Sequence, residues 1–86
     1  MPFQIEVTDT FGGEANYCWV RRYRITDATG LTDAQIIRRA KKAAGWTGVR
    51  CARDDIGETL ALRPRGVCQI MFVSYCEPEH LEGVEA

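Results

Sequence analysis

Asp9-Thr-Phe-Gly-Gly-Glu-Ala-Asn-Tyr-Cys-Trp-Val-Arg-Arg-Tyr-Arg-Ile25 joins two runs of β-type patterning, and its reading decides the fold. Upstream of the glycines, Phe3, Ile5, Val7 and Phe11 fall on one face of an extended chain. Gln4, Glu6, Thr8 and Thr10 fall on the other, as in a half-buried strand. Gly12 to Asn16 supplies residues tolerant of positive φ and reads as a hairpin loop. The return strand is expected from about Tyr17 to Ile25. Its odd face carries Tyr17, Trp19, Arg21, Tyr23 and Ile25; its even face carries Cys18, Val20, Arg22 and Arg24. Two arrangements fit. A bulge reverses the faces midway, or the odd face is the core face and Arg21 reaches past Trp19 and Tyr23.

Beyond the hairpin the pattern becomes helical. Thr32 and Gln35 form a T-x-x-Q capping box, and Leu31 with Ile36 fits a hydrophobic staple. Ile36, Ile37, Ala40, Ala43 and Ala44 make an apolar stripe, with Gly45 and Trp46 placed to close a Schellman cap. Arg38, Arg39, Lys41 and Lys42 lie on the opposite face, where they complement the helix dipole.

Short strands follow at Val49–Arg53 and Thr59–Leu62, separated by a turn containing Asp54, Asp55 and Gly57. Val67–Cys76 is apolar on both faces and reads as a central strand. The order is β-β-α-β-β-β. The expected fold class is α+β: a single antiparallel sheet with one α-helix packed on one face, over residues 1–76. Residues 77–86 hold four glutamates, one proline and no Lys or Arg, and read as an acidic, flexible tail. With one helix, the second sheet face is expected to lack internal cover and to offer a docking surface.

The chain has 86 residues and a net charge of −1, but without residues 77–86 its balance is +3. No apolar run approaches a membrane span and no signal-peptide pattern opens the sequence, so a cytoplasmic location in a bacterial host is expected. That compartment keeps thiols reduced. Cys18, Cys51, Cys68 and Cys76 lack paired zinc-ligand spacing and sit in apolar runs, so buried free thiols are expected, with no metal and no cofactor. The one histidine, His80, lies in the acidic stretch, and Ser74 is the one serine, outside any nucleophile motif. Asp54 and Asp55 are adjacent and diverge on an extended chain. Catalysis is therefore not expected. The candidate partner-binding residues are Tyr17, Trp19, Arg21, Arg22 and Arg24, with Arg38, Arg39, Lys41 and Lys42 on the helix.

The run Asp9–Val20 resembles the opening of a group of small phage and prophage proteins. These share the segment, then a basic helix and a Gly-Trp turn, here Gly45-Trp46-Thr47-Gly48. The group brings no established activity, so no catalytic residue is carried over. In size and layout the chain is also similar to small phage anti-CRISPR proteins, which occupy a surface of a large host complex; that similarity is one of analogy. The resemblance implies a non-enzymatic inhibitor that binds a host protein complex such as a CRISPR effector. The alternative expectation is a small nucleic-acid-binding accessory or regulatory protein using the basic helix face.

Overall fold

A computed structural model describes residues Met1–Ala86. The protein is an α+β fold with one open sheet of six strands and one helix. The strands are β1 (Phe3–Asp9), β2 (Val20–Ile25), β3 (Cys51–Ile56), β4 (Thr59–Pro64), β5 (Gln69–Tyr75) and β6 (Val84–Glu85); the helix is α1 (Asp33–Ala43). Their order across the sheet is β3-β4-β5-β1-β2-β6. Neighbours are antiparallel except β2 and β6, which run parallel. The sheet is therefore mixed, where a purely antiparallel sheet of five strands was expected.

The helix forms where local signals place it. The Thr32 hydroxyl accepts from the Gln35 N–H at 3.2 Å, and the Gln35 side chain accepts from the Thr32 N–H at 2.8 Å. At the other end Gly45 takes φ 78°, the Trp46 N–H donates to the Lys41 carbonyl at 2.7 Å, and the Gly45 N–H donates to Lys42 at 3.1 Å. That is a Schellman closure. Ile36, Ala40 and Ala44 line one helix face and enter a core with Ile5, Val7, Ile25, Leu62, Met71, Val73 and Trp46. The alanines let the helix lie close to the sheet. Each large side chain buried here contributes about 1.5–3 kcal/mol against exposure.

The unbroken β1–β2 register, Phe3↔Ile25 to Thr8↔Val20, answers the question of faces. Tyr23 and Ile25 face the helix without a bulge. Strand β2, however, begins at Val20, not at Tyr17. Side chains and a turn replace the ladder before it. The Thr8 hydroxyl donates to the Trp19 carbonyl at 2.8 Å, and the Asp9 carboxylate accepts from the Cys18 N–H at 3.2 Å. Tyr17 occupies the left-handed region at φ 55°, which ends any strand. The hairpin loop is thus Thr10–Trp19, with a 3-10 turn at Phe11–Gly13.

Two further expectations change. Asp54 and Asp55 belong to β3, because the two residues Gly57 and Glu58 suffice to connect it to β4. They pair with Arg63 and Arg53 at 3.9 and 3.2 Å. Cys18 and Cys68 are exposed and Cys51 and Cys76 half-buried, all as free thiols, where buried thiols were expected. Cys18 is carried by the loop, and Cys68 precedes β5.

The face away from the helix is partly covered. Tyr17 stacks on Phe72 with ring centroids 6.4 Å apart, and Ile70, on the same side of β5, is 1% exposed. Residues 77–86, expected as a flexible tail, follow a defined path. They make a 3-10 turn at Pro78–His80 and end as β6 beside β2. No helix is long and apolar enough to cross a membrane.

Candidate partner-binding surfaces

The nine candidate residues separate into three places. The first is the Thr10–Trp19 loop and its junction with β2. Phe11 is 82% exposed, Tyr17 54% and Trp19 40%. Arg21 follows on β2, with its guanidinium carbon 5.6 Å from the centre of the Trp19 ring. A cation held over an indole face this way fixes both side chains while leaving them at the surface. The loop's base is tied to the residue just before β5, since the Thr10 N–H donates to the Cys68 carbonyl at 3.0 Å. The exposed Val67 lies next to that tie. Exposed aromatics beside an arginine have the composition of interface cores. Phe11 was not among the candidates, because alternation placed it on the buried face of the first strand. The 3-10 turn that starts at Phe11 removes it from that pattern.

The second place is the outer edge of β2, where Arg22 and Arg24 are already engaged. Arg22 Nε lies 3.0 Å from Glu6 and 3.2 Å from Glu82. Arg24 Nε is 3.8 Å from Glu85, and Arg39 reaches from α1 to within 3.9 Å of the same carboxylate. Arg39 also donates to the Ala86 carbonyl at 2.7 Å. Glu85 is held further by the Thr26 hydroxyl and by the Thr26 N–H at 3.0 Å. These two bonds, and after them Arg24 and Arg39, keep its carboxyl below the usual glutamate range. The acidic segment thus lies on the arginines named as partner contacts. Charge balance alone carried that signal: a basic body followed by four glutamates.

Gln4 and Gly83 make this docking specific. Gln4 is 8% exposed although it sits on the side of β1 away from the helix. Its Nε2 donates to the carbonyls of Tyr23 at 2.9 Å and Glu82 at 3.0 Å, and its Oε1 accepts from the Glu82 N–H at 2.8 Å. Gly83 has φ 89°, and a Cβ there would fall 2.0 Å from the Arg22 carbonyl oxygen. Only glycine permits that approach.

The third place is α1. Arg38, Lys41 and Lys42 line an open groove of about 620 Å³ with Ala34, Ile37, Thr47 and Gly48. Arg39 is not part of it, so the basic run points in two directions.

His80 is exposed, and no group of three or more His, Cys, Asp or Glu is arranged to hold a metal ion. The protein is thus a small α+β domain with an exposed aromatic loop at one end of its sheet. No protein-family model matches the chain, and neither the curated proteins nor the solved structures contain a match.

Proposed function

We propose that the protein is a non-enzymatic phage or mobile-element protein that binds and inhibits a host defence complex, in the manner of an anti-CRISPR protein. The observation that carries this reading is the Thr10–Trp19 loop. It presents Phe11, Tyr17 and Trp19 to solvent and stacks Arg21 against Trp19. Aromatics and arginine supply most of the binding energy at interface centres. The backbone of the loop is held by the Thr8 hydroxyl, the Asp9 carboxylate and the Cys68 carbonyl, which lowers the cost of ordering the loop on binding. The phage-like segment Asp9–Val20 coincides with this loop, which ties the resemblance to the same residues. Inhibition follows from occupancy: a rigid domain seated on an effector blocks the surface that its nucleic acid or another subunit needs.

The test is co-migration on size exclusion of the purified protein with purified CRISPR effector complexes. The wild-type protein is expected to shift with its target, and Trp19→Ala with Tyr17→Ala to elute alone while folded. Equal co-migration of wild type and variant would remove the loop from the interface.

A second reading rests on the α1 groove, where Arg38, Lys41 and Lys42 could hold phosphates. It predicts DNA or RNA binding that weakens steeply with salt. The absence of a gel shift at low salt would dismiss it. The net charge of −1 favours the first reading.

A further inference from the structure

One helix roofs only part of the sheet. Strands lie about 4.8 Å apart and a helix is about 10 Å across, so α1 covers little more than two strands. It lies on β1 and β5 and reaches Leu62 of β4. Strand β3, next in order, is uncovered beyond Cys51. Its Arg53 and Asp55 face the same way as their partners Leu62 and Leu60, yet both are exposed. The chain enters β3 from the C-terminal end of α1, so the strand runs back along the helix and leaves a trough between them.

The two ends of this trough carry opposite charge. Arg38, Lys41 and Lys42 line the end beside Gly48, about 620 Å³ in volume. Asp33, Asp55 and Glu58 line the end beside Gly57, about 300 Å³. Ile37 is half-buried and lines both. Of the charged residues just named, only Asp55 has an ion-pair partner within the chain, Arg53 at 3.2 Å. Asp33 stands four residues before Ile37 and Lys41 four after it, so each is about one helical turn away on the same face. A surface with an apolar centre and oppositely charged ends is complementary to its own copy turned end for end, which is the requirement of a two-fold interface.

We propose that this flank is the interface of a two-fold symmetric homodimer. The α1 helix of a second copy lies antiparallel in the trough and roofs β3, with Ile37 against Ile37 at the axis. Asp33 of each copy then meets Lys41 of the other, and Arg38 and Lys42 of each face the other's acidic end. Burial of Ile37 and Ala34 supplies affinity, while the charges set the antiparallel register. Trp19 and Arg21 belong to the β2 side, across the sheet from β3, so the dimer leaves both aromatic loops free. The interface stands or falls independently of the inhibitory reading.

Sedimentation of the full chain over a range of concentrations is expected to show a monomer–dimer equilibrium. Asp33→Lys or Lys41→Glu alone sets like charges opposite one another at both pairs and is expected to weaken self-association about tenfold or more. Mixing the two variant chains restores opposite charges at both pairs, so a heterodimer of near wild-type affinity is expected. That rescue is the signature of antiparallel pairing about Ile37. Circular dichroism checks that each variant is folded. If either reversal unfolds the chain, Asp33→Asn and Lys41→Gln take its place; each weakens its own dimer, and the mixture recovers one of the two pairs. The proposal is overturned by a wild type that stays monomeric up to about 0.1 mM, by a dimer indifferent to the substitutions, or by variant chains that fail to associate on mixing. Where the wild type is monomeric, a nucleic-acid gel shift lost in Lys41→Glu assigns the groove to nucleic acid instead.

Discussion

The side-chain amide of Gln4 spans the backbone of Glu82, donating to its carbonyl at 3.0 Å and accepting from its N–H at 2.8 Å. Residues 78 positions apart are thereby joined by a part-buried, two-way pair of hydrogen bonds. The contact explains why a segment with the composition of a disordered tail lies along β2.

Replacing Gln4 by Leu is expected to release this segment and leave the Tyr23 and Glu82 backbone groups without their partner. The cost is about 0.5–1.5 kcal/mol for each hydrogen bond lost, because a released segment turns its backbone groups to water. Urea unfolding measures the loss, and hydrogen exchange at Val84 to Ala86 shows its location. The β1–β5 ladder should remain protected.

Glu85 links the same contact to pH. The Thr26 hydroxyl and N–H, and then Arg24 on β2 and Arg39 on α1, hold its folded carboxyl below the ordinary 4.5. A depressed folded value means the stabilisation is fully present above 4.5 and is lost as pH falls through the folded value. Wild type and Glu85→Gln should therefore differ in unfolding midpoint at pH 7, with the difference shrinking towards pH 3. The group is exposed, so the effect is small and screened by salt.

The helix start offers a cleaner stability test. Thr32→Ala removes the acceptor of the Gln35 N–H and is expected to cost about 1 kcal/mol, whereas Thr32→Ser should be close to neutral. Thermal or urea denaturation with helical circular dichroism checks both.

Trp19→Ala should separate function from folding. Its ring is partly exposed and outside the core cluster, so the loss of stability should stay well below that of a core truncation. Partner binding should fall by about 2 kcal/mol or more if the residue is a hot spot. Ile5→Ala, in the fully buried core, should instead cost about 2–5 kcal/mol of stability. Denaturation paired with a binding measurement distinguishes the two.

The parts of the fold legible in the sequence were those set by near neighbours. The Thr32–Gln35 box, the Gly45–Trp46 closure and the alternation of Phe3, Ile5 and Val7 each act within a few residues. The parts that were not legible depend on distant partners. Tyr17 and Trp19 continue the alternation of β2, but the side chains of Thr8 and Asp9 capture the backbone there and turn the strand into a loop. Thr8 and Gln4 look like solvent-facing residues, yet the loop covers one and the acidic segment binds the other. Strand β6 is two residues long and owes its place to Gln4, Gly83 and three arginines, none of them local to it. Of the candidate site, Trp19 and Arg21 lie against one another, whereas Tyr17 stacks on Phe72 on the face away from the helix. Arg22, Arg24 and Arg39, candidate partner contacts from the sequence, are engaged within the fold by Glu6, Glu82 and Glu85.

The most direct measurement is phage plaquing on bacteria whose CRISPR system targets that phage, across a panel of system types, with the protein expressed from a plasmid. The predicted result is restored plaquing against at least one type, lost with Trp19→Ala and Tyr17→Ala at unchanged protein level. Full immunity against every type in the presence of folded wild-type protein would contradict the proposed function, and restoration that survives both substitutions would contradict the role of the loop.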